Sequence, residues 1–209
     1  DYDIIKNADE SDANGDGISG KPNRVWDVLT ASYRLGRFGW KAGQPTVLQQ
    51  SAGAYNEDMG ITNFVFPVEN SFNQPQHDGL NDETELSDSI MHAVAFYMQT
   101  LGVPARRNAK DPIVLEGKRI FNQIQCASCH IAKHVTATDM AFTSRSNQKI
   151  FPYTDLLLHD MGPGLADMRS EFQADGYEWR TPALWGIGLT KKINGHEYFL
   201  HDGRARNLE

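Results

Sequence analysis

The sequence predicts a mostly α-helical fold with long ordered loops. Apolar residues repeat at helical spacing along 82–101. A second helix start is predicted at Asp111-Pro112, because Asp is a favoured N-cap and Pro a favoured first helical residue. No segment alternates as a strand would, and the short apolar run "FVFPV" is broken by Pro67. The 18 Gly and 9 Pro, spread along the chain, favour many turns.

In chain order, the polar, Asp-, Asn- and Gly-rich residues 1–24 are expected to form a loop. A first helix is predicted from Thr46 to Asn56. The helix over 82–101 is predicted more strongly, because Asp82 and Glu85 form a capping box and Gly102 ends the pattern. Its apolar positions are Leu86, Ile90, Val94, Tyr97 and Leu101.

The segment "RRNAKDP" is expected to be a hinge before the helix that begins at Asp111-Pro112. That helix leads directly to the pair of cysteines. Two short helices are expected within 164–172 and 181–189. The residues expected on the buried side of the helix after Asp111 are Ile113, Ile120, Phe121 and Ile124.

Composition and charge exclude several classes of protein. The chain of 209 residues is 40% hydrophobic and 22% charged, as in ordinary globular proteins. Its net charge of −7 argues against nucleic-acid binding, which needs a concentrated basic face. No run of 18 apolar residues could span a membrane. The acidic start "DYDIIKNADE" is unlike a signal peptide, so we expect a removed leader or a longer parent protein.

The only two cysteines, Cys126 and Cys129, precede His130 in a C-x-x-C-H motif. A structural zinc site would need a second tight pair of ligands, which the other histidines do not form. A thioredoxin-like dithiol would follow a strand, whereas a helix is predicted here. A covalent haem needs two thiols at one porphyrin edge and an adjacent imidazole for the iron. Gly117 and Phe121 ahead of the motif favour the haem interpretation.

The segment "EGKRIFNQIQCASCH" resembles the first helix and haem motif of a class I cytochrome c. Residues 178–209 are similar to the downstream part of bacterial di-haem cytochrome c peroxidases. The stretch "PYTDLLLHDMGPGLAD" narrows the resemblance to a di-haem oxidoreductase family that carries the labels peroxidase and "thiol oxidoreductase". The resemblance implies a cytochrome c-like haem domain at 106–209. It also implies that 1–105 is the C-terminal part of a first such domain.

Residues 23–50 are weakly similar to residues 180–209. In the di-haem peroxidases each cytochrome domain carries such a segment after its haem motif, so the resemblance implies that 23–50 lie late in a first cytochrome domain. The resemblance therefore implies that the first-haem part of this domain, with its own C-x-x-C-H motif, lies upstream of the chain. In that case Glu57, in "NEDMG", would face the first haem as a catalytic carboxylate. For the haem on His130, the family's sixth ligand would fall beyond Glu209. Within the chain its candidates are Met161, His201 and His159, of which Met161 offers a soft thioether.

A second metal site is predicted in "DANGDGISG". Side-chain oxygens of Asp12, Asn14 and Asp16 and the carbonyl of Ile18 alternate as in the first half of an EF-hand loop, with Gly17 at the turn. The bidentate Glu of the full motif is replaced by Asn23, so Asp27 or Asp9 would have to complete the shell. We expect a structural Ca²⁺ here.

The predicted function is haem c binding and electron transfer within a periplasmic or otherwise exported di-haem oxidoreductase of peroxidase type. Its partner would be a small redox protein or another electron donor. The chain alone is expected to be inactive as a peroxidase, because it offers no certain open iron site with a positioned acid or base. Two alternatives stay open: a simple electron-carrier cytochrome, and a non-haem binding module with Cys126 and Cys129 as thiols or a disulfide.

Overall fold

The computed structural model describes residues 1–80 and 82–208, and these fall into two compact units. One unit contains 1–22, 103–167 and 177–209, and the other contains 23–102 and 168–176. The assignment of 1–105 and 106–209 to two related domains, with the haem-binding part of the first domain upstream, stays a prediction. In the described chain no helix has both the length and the apolar character needed to cross a membrane.

The prediction of a mostly α-helical cytochrome c-like fold is wrong. Helices account for 27% of the chain and strands for 13%, and much of the rest is loop. The strands were not predicted from the sequence because each has only two to four residues, too few to show an alternation of apolar and polar residues. The helices are α1 Tyr2–Ile5, α2 Val47–Met59, α3 Asp88–Thr100, α4 Pro112–Gln123 and α5 Thr190–Asn194.

The strands form antiparallel pairs, each a two-stranded ribbon. The pairs join β1 to β2, β3 to β4, and β5 to β6. Short 3₁₀ turns occur at 126–128, 143–145 and 187–189. The strand bounds are β1 Arg24–Asp27, β2 Ser32–Leu35, β3 His134–Val135, β4 Lys149–Ile150, β5 Leu158–Asp160 and β6 Glu178–Arg180.

In the unit that contains 23–102, α2 and α3 pack around a small apolar core. Ala52, Val65 and Met91 form its buried centre. The predicted helix from Thr46 is confirmed, since the Thr46 side chain caps α2 by accepting from the Gln49 N–H. Around this centre pack Leu48, Tyr55, Phe64, Phe66, Leu86 and Val94.

Helix α3 begins later than the capping-box prediction. Ser87 is its N-cap. The carboxylate of Glu85 instead accepts from the backbone N–H of Thr62 at 3.0 Å. The predicted stripe is also only partly buried: Leu86 and Val94 reach the core, whereas Ile90, Tyr97 and Leu101 are exposed.

Side-chain amides stabilise the loops where regular structure is missing. Asn63 is fully buried, and its Oδ1 accepts from the N–H groups of Val65 and Phe66. Its Nδ2 donates to the carbonyl of Ala52 in α2 at 3.0 Å. One side chain thus satisfies several buried backbone groups that a sheet or helix would otherwise pair.

Helix α4 begins as predicted, but its apolar face is not buried. Asp111 caps it by accepting from the Ile113 N–H at 2.8 Å, and Pro112 is the first helical residue. Ile113, Ile120 and Ile124 were expected on a buried side and are exposed, Ile113 by 81%. The periodicity correctly identified an amphipathic helix, but it could not tell what covers the apolar face.

The two short helices expected later in the chain are only partly present. Residues 164–172 form turns and no helix. Within 181–189 only the 3₁₀ turn at 187–189 is regular, and it continues into α5. Met168 and Phe172 in the first stretch and Gly186 in the second adopt positive φ, which interrupts the helical backbone.

Candidate functional site

The C-x-x-C-H motif lies in a tight turn directly after α4. Gln125 adopts a left-handed conformation with φ 66°, which ends the helix and reverses the chain. Cys126 then begins the 3₁₀ turn at 126–128, and the N–H of His130 donates to the Cys126 carbonyl at 3.0 Å. The two thiols and the imidazole are therefore presented by one compact turn.

The His130 ring is held by a backbone carbonyl. Its Nδ1 lies 2.8 Å from the Tyr153 carbonyl oxygen. A carbonyl can only accept, so Nδ1 carries a proton, and in the neutral imidazole Nε2 then keeps its lone pair. This tautomer is the one that a metal-binding imidazole needs, with its second nitrogen oriented by a hydrogen bond.

An apolar cleft of about 870 Å³ is lined by two residues that also lie next to His130. Phe121 and Tyr153 both line the cleft, and the Phe121 ring lies 6.1 Å from the ring of His130 between centroids. The volume falls within the roughly 300–1,000 Å³ usual for cofactor sites. Its apolar lining includes Val103, Ile150, Phe151, Leu184 and Trp185.

Behind the motif, Cys129 touches a buried histidine. The Cys129 sulfur lies 3.6 Å from His159 Nδ1. The other ring nitrogen, Nε2, donates to Asp155 Oδ2 at 2.8 Å, and Nδ1 donates to the Ser19 carbonyl at 2.6 Å. Both nitrogens face acceptors, so the ring is a doubly protonated imidazolium paired with a buried carboxylate.

The environment of His159 explains its charge. Burial alone lowers its pKa, but the hydrogen bonds to Asp155 and then to Cys129 outweigh burial and raise the pKa to about 10. With both nitrogens protonated and bonded, His159 has no lone pair for iron in this arrangement. His159 is among the ligands predicted from the sequence, whereas its partner Asp155 is not. Their spacing of four residues in "DLLLHD" was the available signal.

Two groups of side chains have ligand atoms within 4.8 Å of one another among the described residues. One consists of Cys129, Asp155 and His159 and the other of Glu69, His77 and Asp78. In the first, His159 is already bonded through both nitrogens. In the second, the Gly79 N–H donates to His77 Nδ1 at 3.0 Å.

The other predicted site residues make contacts of their own. Met161 is 49% exposed, and its N–H donates to the Tyr177 carbonyl. His201 stacks on the Trp179 ring, with centroids 3.7 Å apart and planes 10° apart. Glu57 lies on the exposed side of α2.

The Asp- and Asn-rich loop is folded around its own side chains. Gly17 N–H donates to the Asp12 carboxylate, Asp16 N–H to Asn14 Oδ1, and Ile18 N–H to Asp16 Oδ1. The next residue, Ser19, accepts from His159 as described above. The loop that holds the predicted calcium ligands is therefore joined through Ser19 and His159 to the haem motif.

The residues around the motif fit a covalently bound haem. Two thiols, a correctly oriented imidazole and an apolar cleft are the donor set and the surroundings that such a group requires. Comparison with known proteins agrees with this geometry. The chain matches the family model described as "Di-haem oxidoreductase, putative peroxidase" over residues 1–209. No curated protein and no solved structure gives a significant match. The chain belongs to the di-haem oxidoreductase family.

Proposed function

We propose that this chain binds haem c through thioether bonds to Cys126 and Cys129, with His130 as an iron ligand, and transfers electrons as part of a peroxidase-type oxidoreductase. The observation that carries the proposal is the hydrogen bond from His130 Nδ1 to the Tyr153 carbonyl. In the neutral imidazole this bond leaves the Nε2 lone pair available to iron, in the same turn as the two thiols. When bound, the haem supplies one-electron iron chemistry.

The chain's own residues hold, orient and shield this site. Tyr153 fixes the His130 ring and its tautomer through its carbonyl. Phe121 and the other apolar lining residues exclude water, which keeps the local dielectric low. The imidazolium of His159, paired with Asp155, fixes the position of Cys129 from behind. Met161 and His201 remain the proposed candidates for a sixth ligand.

The decisive experiment is the intact mass of the chain produced together with a c-type haem attachment system. We expect the mass of one haem and a visible haem spectrum. Cys126→Ala combined with Cys129→Ala should remove the covalent mass entirely. Ser128→Ala, between the cysteines, should leave it unchanged. A wild-type chain of polypeptide mass alone would overturn the proposal.

Oxidant chemistry is a separate part of the proposal. A peroxidase-type role needs an acid or base, for which Glu57 is our candidate, and an external electron donor. Hydrogen peroxide should oxidise the reduced, haem-loaded longer protein that also carries the proposed first haem, and Glu57→Gln should slow this step while Asp58→Asn should not. A plain electron carrier is the alternative, and it would stay reduced in peroxide.

A second candidate function is thiol chemistry in a haem-free chain. The contact of Cys129 with His159, which is backed by Asp155, favours it because nucleophilic cysteines are often paired with an oriented histidine. Alkylation by iodoacetamide separates the two functions. A haem-free chain with reactive Cys129 would modify there, whereas thioether-linked sulfurs would not react.

We also propose that the loop of Asp12, Asn14, Asp16 and Ile18 binds Ca²⁺ and that the protein is exported. The alternating oxygens and the turn at Gly17 support the calcium site. Titration calorimetry with CaCl₂ should detect binding that Asp12→Asn with Asp16→Asn abolishes and Asp78→Asn does not. Cell fractionation tests export.

A further inference from the structure

The two cysteines of the motif have different surroundings. The Cys129 sulfur lies 3.6 Å from Nδ1 of the buried His159. In the part of the chain that the structure describes, no hydrogen bond of this kind joins the Cys126 sulfur to another residue. Two equivalent attachment points for one ligand would not require this asymmetry.

The contact between Cys129 and His159 has a defined direction. Nδ1 of His159 also lies 2.6 Å from the Ser19 carbonyl oxygen, which can only accept. Nδ1 therefore carries a proton, and the Cys129 sulfur is the acceptor in the longer contact. A thioether sulfur is still a weak acceptor, so the contact does not depend on the thiol hydrogen and persists after a thioether bond has formed.

The ring of His159 has little freedom to move. Its Nε2 donates to Asp155 Oδ2 at 2.8 Å, and the backbone N–H of Asp155 donates to the Cys129 carbonyl at 2.9 Å. A Cβ atom added at Gly20 would lie 2.8 Å from Cε1 of the ring, so the absent side chain of Gly20 leaves room for it. The histidine and the cysteine are thus also linked by a second route, through Asp155.

We propose that His159 is a positioning residue for one of the two thioether bonds. Its Nδ1–H holds the Cys129 sulfur in place for addition to a haem vinyl group, whereas the bond at Cys126 forms without this contact. The inference rests on the proposed haem site.

The addition is balanced without any further reactant. The S–H bond and the vinyl π bond break, the sulfur bonds to the carbon next to the porphyrin ring, and the hydrogen goes to the terminal carbon. No electrons are gained or lost, and nothing leaves. The rate of such a step depends on how the reacting atoms are held, which is what the contact from His159 supplies at Cys129.

Two substitutions separate the roles of the two ring nitrogens. Counted in bonds from Cβ, the amide nitrogen of asparagine replaces Nδ1 of histidine, and that of glutamine replaces Nε2. His159→Asn therefore keeps a donor for Ser19 and Cys129 but loses the one for Asp155. His159→Gln keeps the donor for Asp155 but loses the one for Cys129. Both variants retain a polar amide at the same buried position.

The variants are produced together with the c-type haem attachment system. Peptide mass spectrometry identifies which cysteine is linked, and the pyridine haemochrome spectrum reports how many vinyl groups remain. Wild type and His159→Asn should carry two thioether bonds. In His159→Gln the doubly linked form should fall several-fold, leaving haem on Cys126 alone and Cys129 free to react with iodoacetamide. A mere loss of stability would lower attachment at both cysteines.

His134→Gln is the matched control. His134 and His159 are each 7% exposed, and Nε2 of His134 lies 2.6 Å from the Thr154 carbonyl oxygen. This variant should keep both thioether bonds. Gly20→Ala provides a second test, because it displaces the His159 ring without removing it and should lower attachment at Cys129 only.

The outcomes separate this inference from the proposed function. A wild-type chain without covalent haem overturns both. Two thioether bonds in wild type and equally in His159→Gln overturn the inference alone. An equal loss of the Cys129 bond in His159→Asn and His159→Gln also overturns it, because the Nδ1–H would then not be the deciding group. If His159→Gln does not fold, full attachment at Cys129 in Gly20→Ala overturns the inference instead.

Discussion

Helices α2 and α4 have similar lengths and similar caps, yet they differ in what they bury. Thr46 and Asp111 each accept from a backbone N–H in the first turn. Helix α2 buries Gln49, Ala52, Gly53 and Asn56, whereas α4 buries none of its residues. Helix α2 is thus part of the core, while α4 supplies residues to the cleft. A helix can therefore be encoded equally well by its local sequence whether it serves the core or a ligand site.

The turn after α4 is an exception to this difference in burial. Although α4 is exposed, the motif that follows it is backed by the buried pair of His159 and Asp155. The site is therefore held from behind by electrostatics and hydrogen bonds rather than by the packing of its helix. Substitutions at the buried positions should therefore lower the free energy of unfolding more than substitutions on the exposed face of α4.

The largest effect is expected for Asp155→Asn. Removing one partner of a buried ion pair costs about 3–5 kcal/mol of unfolding free energy. Because the folded-state pKa of His159 is raised to about 10 from 6.5, its stabilisation is complete below 6.5 and is lost as pH rises through about 10. Urea unfolding should show a large difference between wild type and variant at pH 7 that narrows toward pH 10.

Glu116→Gln is the control for this prediction. Glu116 pairs with Arg119 on the exposed surface of α4, where solvent screens the attraction. Its effect should be small and should not vary between pH 7 and pH 10. A pH-independent loss in Asp155→Asn would mean that His159 is neutral in the folded protein.

Asn63→Ala should have the next largest effect, on the unit that contains α2. The substitution leaves the buried N–H groups of Val65 and Phe66 without their acceptor, at roughly 2–4 kcal/mol of unfolding free energy. Asn122 on α4 also donates from its amide to a backbone carbonyl, but it is exposed. Asn122→Ala should change the urea midpoint little. Equal losses of unfolding free energy at Asn63 and Asn122 would contradict the expected difference between the core around α2 and the exposed α4.

The caps give a smaller and more local test. Thr46→Ala should cost about 1 kcal/mol of unfolding free energy, because α2 unfolds together with its core. Asp111→Ala removes the same kind of hydrogen bond, but α4 can fray without disrupting buried contacts. Hydrogen exchange should therefore accelerate mainly at Ile113 and its neighbours, with little change in the global midpoint. A fall in global stability equal to that of Thr46→Ala would contradict this view of α4.

These contrasts also show which features the sequence could predict. The Asp111 cap and the start of α2 at Thr46 were predicted because they depend on neighbouring residues. The strands and the overall fold class were not, because strands of two to four residues leave no periodic pattern. The contact of His159 with Ser19 was missed for another reason. Ser19 is far away in sequence, and only the folded chain brings it to the ring.

The smallest effect is expected on the apolar face of α4. Ile113 is 81% exposed, so Ile113→Ser removes little buried surface and should change the unfolding free energy by no more than about 0.5 kcal/mol. Met91 on α3 is fully buried, and Met91→Ala should cost about 2–5 kcal/mol. Both variants are compared by urea unfolding. A cost at Ile113 near that at Met91 would mean that another surface covers α4, and α4 would then belong with the core helices.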